Sequence, residues 1–79
     1  MEQLTILFGS IRDIEQFVRI TTRLQGSVRV VSGEQVMDGK AIMGLMSLGL
    51  YRKLTMIYEG PKEEFQSFRD SIQSYLAAS

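Results

Sequence analysis

The chain has 79 residues, a hydrophobic fraction of 44%, and nine basic against nine acidic residues, so its formal charge is zero. It contains no cysteine and no histidine. That excludes disulfides, thiolate metal sites and thiol nucleophiles, and removes the commonest neutral-pH base and metal ligand. A domain of this length buries only about 60% of the surface its unfolded chain exposes, so one thin core is the limit. Zero net charge argues against broad phosphate-backbone binding. No apolar run approaches the roughly 20 residues that span a bilayer, and the start lacks the basic-then-apolar layout of a secretion signal. The expected class is a single cytoplasmic domain without a redox role.

Residues 3–8 alternate, with Leu4, Ile6 and Phe8 on one side, which predicts a half-buried strand. A helix follows. Ile14, Phe17, Val18, Thr21 and Leu24 recur at the spacing of one helical face, Ser10 and Asp13 are placed as a capping box, and Gly26 is placed to stop it. Residues 27–32 and 35–38 read as two strands joined at Gly33–Glu34 into an antiparallel hairpin. Residues 39–50 predict a short helix stopped by Gly49, and residues 53–59 a fourth strand. The rest of the chain reads as a closing helix. Pro61 stands at its first position, Glu63 and Glu64 at its positive end, and Phe65, Phe68, Ile72, Tyr75 and Leu76 form its buried stripe. The order is βαββαβα. It implies an α+β open-faced sandwich: a four-stranded antiparallel sheet, three helices on one face, and Thr5, Arg29 and Thr55 on the wet face.

The short helix sets the functional question. Ala41, Leu45 and Leu48 share one side, while Ile42, Met43 and Met46 fall on a neighbouring side that is at least partly exposed if the first set meets the sheet. Methionines on an exposed apolar patch suit an adaptable partner surface. A short helix that is core all round is the competing reading.

The stretch GKAIMGLMSLGL closely resembles the regulatory helix of HPr, the small phosphocarrier of the bacterial sugar phosphotransferase system, whose Gram-positive members run K-S-I-M-G-V-M-S-L-G-I. Lys40, Ile42, Met43, Gly44, Met46, Ser47, Leu48 and Gly49 are identical to that pattern. The resemblance implies the HPr fold and, for a working member, phosphocarrier activity. It also implies docking of this apolar patch on enzyme I, sugar permease domains, a kinase or a transcriptional regulator. Partner contacts implied for this chain are Arg12, Ile42, Met43, Met46 and Ser47. The family's phosphorylated histidine sits before the first helix in G-[IL]-H-[AT]-R-P. Here that stretch is FGSIRDI, shorter than the family's, with Ser10 near the histidine position, Arg12 near the arginine and Asp13 where the proline would be. Ala41 occupies the position of the serine that HPr kinase phosphorylates.

Other chemistry is weighed against these residues. A serine phosphate is a stable ester and does not pass its phosphoryl group on as a phosphohistidine does, and Ser10 has a capping role available. Asp13, Asp38 and Asp70 are scattered and form no metal-holding pair. Without histidine a lysine would have to activate a nucleophile, and Lys40, Lys53 and Lys62 stand at element ends, where solvated lysines are ordinary. Arg12, Arg19 and Arg23 form a basic stripe on the first helix without a stacking platform beside it, which argues against nucleic acid; a solvated face is the plain reading, and the resemblance to HPr implies an acidic partner surface instead. The expectation is therefore a non-enzymatic, HPr-like interaction module with no cofactor or metal, a monomer or weak homodimer. The alternative is a phosphocarrier component of the phosphoenolpyruvate-dependent phosphotransferase system.

Overall fold

A computed structural model describes residues 1–78. The elements are β1 (Glu2–Ile6), α1 (Ile11–Thr21), β2 (Ser27–Ser32), β3 (Gln35–Asp38), α2 (Ile42–Leu48), β4 (Leu54–Glu59) and α3 (Lys62–Ser71), then one turn of 3-10 helix over Gln73–Tyr75. The strands form one antiparallel sheet in the order β1-β4-β2-β3. This is the predicted α+β sandwich. Alternation places Ile6, Leu54, Met56, Tyr58, Val28 and Val30 under the helices, all buried. On the opposite face Thr5 pairs with Thr55, and Arg29 forms an ion pair with Glu59 at 2.9 Å. Both side chains of that pair are about half exposed, so it adds little stability.

Aromatic rings knit the helices to the sheet. Phe17 of α1 meets Phe8 edge-on at 5.1 Å between centroids, and lies 6.1 Å from Phe68 and 6.2 Å from Tyr75. Such offset and edge contacts add to the burial of the rings themselves. The Tyr75 hydroxyl donates to Gln16 Oε1 at 3.0 Å, so the ring's polar end is satisfied where it emerges from the core.

Several predicted boundaries are corrected. The first helix ends at Thr21, not at Gly26. The buried Thr21 hydroxyl donates to the Gly39 carbonyl at 2.7 Å, and the chain then closes in tight turns, Arg23 N–H to Ile20 O and Leu24 N–H to Thr21 O. Gly26 serves instead as a point of close approach, since a Cβ there would stand 2.7 Å from both the Tyr58 ring and the Glu59 carbonyl. The last helix stops at Ser71 rather than running on. Tyr75 O accepts from Leu7 N–H and Thr5 O from Ala77 N–H, so β1 draws the final residues into an extended bridge at Leu76. Pro61 is the N-cap of α3 and Lys62 the first helical residue. The first strand is also shorter than the alternation, although Phe8 beyond its end is buried.

Glu64 clamps the α1–β2 loop. Its carboxylate accepts from Gln25 N–H, Gly26 N–H and the Tyr58 hydroxyl, each at 2.8 Å. The two backbone donors, then the tyrosine, hold the Glu64 carboxyl below its usual range. Burial, then the Glu64 carboxylate, push the Tyr58 phenol up to about 12. The signs follow by linkage. Glu64 contributes stability above the ordinary carboxylate pKa, and that contribution is lost as pH falls through its depressed value. Tyr58 contributes below pH 10 and loses its contribution as pH rises towards about 12. Urea midpoints measured across pH are expected to fall on both limbs. Glu64→Gln should flatten the acid limb, and an unchanged acid limb would show that the clamp carries no pH dependence.

Candidate functional site

The site runs along α1 and α2: α2 begins near the end of α1, where Thr21 bonds Gly39, and the loop after α2 returns to Gly9 just before α1. Ser10 is the N-cap of α1. Its Oγ accepts from Asp13 N–H at 3.1 Å, and Asp13 Oδ2 accepts in return from Gly9 N–H at 2.9 Å. The predicted box therefore forms with its return bond shifted one residue back, satisfying one open donor of the helix start and the N–H of the residue before the cap. Ser10 is occupied as a cap, and the Asp13 carboxylate is held beside it on Gly9 N–H. Arg12 projects from the first turn and is exposed.

Ala41 is the N-cap of α2, with extended backbone at φ −109°, ψ 106° and no side-chain cap. Ala41→Ser is expected to stabilise the fold by about 1 kcal/mol, the usual value of a serine at this position. Thermal denaturation checks this, and a variant no more stable than the parent would show that the hydroxyl cannot reach the first-turn N–H groups. Lys40 is not a free lysine: its Nζ donates to the Leu24 carbonyl at 3.0 Å and its N–H to Asp38 Oδ1.

Leu45 and Leu48 are buried, while Ala41, Ile42 and Met46 are half-buried, with Ile42 and Met46 packed on the margin of the core. Met43 is 76% exposed. Ser47 is also exposed, its hydroxyl donating back to Gly44 O at 2.6 Å. Of the apolar trio, one residue therefore stands free and two support it. Gly49 ends α2 at φ 91°, a conformation in which glycine carries no Cβ penalty.

Tyr51 was not singled out by sequence reasoning. Its backbone is left-handed at φ 60°, its N–H donates to Phe8 O at 2.8 Å, and it is 74% exposed. Its ring reaches the α1 N-terminus: Cε1 lies 3.7 Å from where a Cβ on Gly9 would stand. Only its place after Gly49, in a loop that must return sharply to β4, hinted at such a backbone.

No protein-family model and no curated protein matches the chain. Solved structures do. HPr-C-His of Thermoanaerobacter tengcongensis superposes with a TM-score of 0.75 at 25% identity, over 94% of this chain and 93% of that one. The fold is that of HPr. The phosphocarrier protein HPr of Bacillus anthracis gives a TM-score of 0.69 at 22% identity, over 91% of this chain and 96% of that one. The catabolite repression protein Crh of Bacillus subtilis, a domain-swapped dimer in its crystal, gives 0.66 at 23%, over 92% and 88%. The HPr fold accounts for the strand order. A fold hosts a function without implying it, and the chemistry at the α1 N-terminus rests on the residues present there. No helix among the described residues is long and apolar enough to cross a membrane.

Proposed function

We propose that this chain is an HPr-fold docking module that carries no phosphohistidine. It recognises a cytoplasmic protein partner, a phosphotransferase-system component or a transcriptional regulator, through Met43 with Ile42, Met46, Ser47 and Arg12. The observation that carries this is a chain of HPr fold without any histidine, in which the residue nearest the expected phosphoacceptor is committed as a helix cap. The exposed Met43 on a short apolar helix supports the docking half of the reading. Ala41 offers no hydroxyl to a kinase, so regulation by phosphorylation of the α2 cap is absent as well. The module is not itself an enzyme and uses no cofactor.

Phosphoenolpyruvate, enzyme I, an ordinary HPr and this protein are mixed, and intact masses are followed in time. HPr is expected to gain one phosphate and this protein none, while an excess of this protein slows the loading of HPr by competing for enzyme I. A phosphorylated form of this protein would overturn the reading in favour of a working phosphocarrier. Undisturbed HPr loading would overturn the docking half of the reading.

A further inference from the structure

Tyr51 is a left-handed aromatic residue on a surface. Left-handed backbone is cheap for glycine and tolerable for asparagine, and costly for a bulky side chain. Burial of the ring does not offset that cost, because the side chain is 74% exposed. The loop's own needs do not call for an aromatic either. The N–H to Phe8 O bond that fixes the turn is a backbone bond that asparagine or glycine would make equally well. A strained residue that the fold does not require is a pointer to function.

Its surroundings indicate what the ring meets. The ring lies against Gly9 just before α1, whose first residue, Ile11, is itself 43% exposed. Arg52 and Lys53, next in the chain, and Arg12, in the first turn of α1, are exposed, with Arg52 also donating to Leu48 O at 3.3 Å, while the one carboxylate beside the ring, Asp13, accepts from Gly9 N–H. The corner is thus an apolar centre with a basic rim. Tyrosine is among the residues most enriched where binding energy concentrates, since it presents a large, stiff surface with little rotamer entropy to lose.

We infer that Tyr51 is the aromatic anchor of the docking surface, held upright by its strained backbone, and that it inserts into a protein surface with an apolar hollow and an acidic margin. This rests on the docking reading above and places the binding centre at the α1–Tyr51 corner rather than on α2 alone.

The test uses the competition assay with enzyme I as the probe and two variants. Tyr51→Asn suits the left-handed backbone and removes the ring; Tyr51→Phe keeps the ring. The concentration of protein that halves the rate of HPr loading is expected to rise about tenfold or more for Tyr51→Asn, and to stay near the parent value for Tyr51→Phe. The urea midpoint of Tyr51→Asn is expected to equal or exceed the parent's, a pairing of weaker binding with undiminished stability that a structural tyrosine would not give. Parent-like inhibition by Tyr51→Asn, or a lowered midpoint, would overturn the anchor and leave the docking reading standing. Failure of the parent to slow HPr loading would overturn both.

Discussion

Phe17→Ala is expected to destabilise the protein by about 3–5 kcal/mol, the range for removing a fully buried ring. Phe17 is 0% exposed and touches three other rings, Phe8, Phe68 and Tyr75, which come from the end of β1, α3 and the closing turn. Removing it opens a cavity at the one place where α1, α3 and the sheet meet. A small domain has only about 5–15 kcal/mol of net stability in total, so the variant should populate unfolded chain at ambient temperature. Urea denaturation followed by circular dichroism measures the loss. A cost below about 1 kcal/mol would mean that the neighbouring rings close over the gap and that the core is not organised around Phe17.

Met43→Asp is expected to cost little stability, within about 0.5 kcal/mol, because an exposed side chain on α2 makes few contacts to lose. Its effect on binding is expected to be far larger. A carboxylate drawn into an apolar interface loses its water without gaining a partner, and an acidic margin on the partner would repel it as well. In the competition assay the half-inhibiting concentration should rise by about two orders of magnitude, as for loss of a residue worth 2–3 kcal/mol to the interface. Equal inhibition by variant and parent would show that α2 is not at the interface. A variant that fails through unfolding is recognised at once, because its urea midpoint would fall with its inhibition.

The two positions divide the molecule. Phe17 belongs to what makes any chain of this pattern fold, while Met43 and Tyr51 are exposed and carry the proposed docking surface. The Ser10 cap, the uncapped Ala41 and the absent histidine are the observations on which the proposed loss of phosphoryl transfer rests, in a chain that keeps the HPr fold.

Much of this was determined by the sequence alone, wherever the cause is local. Alternation in residues 27–32 and 53–59 places every second side chain on one face, and the sheet buries Val28, Val30, Leu54, Met56 and Tyr58 accordingly. Ser10 caps α1 because its partner lies three residues away, and Gly49 ends α2 because a single residue's backbone freedom suffices. The glycines, methionines and leucines of residues 39–50 carried the resemblance to HPr, and the fold agrees with it. What the tertiary structure alone decided depends on partners distant in the chain. Glu64 looked like an ordinary residue for the start of a helix, yet it is fastened to Gln25 and Gly26, thirty-nine and thirty-eight positions away. Gly26 looked like a helix stop and is a contact for Tyr58. The closing helix stops at Ser71 because Leu7 and Thr5 offer hydrogen bonds that helical spacing cannot reveal. Tyr51 left no more than its place after Gly49 in the sequence for the same reason: its left-handed backbone comes with an N–H bond to the Phe8 carbonyl just past β1, and no local pattern records that bond.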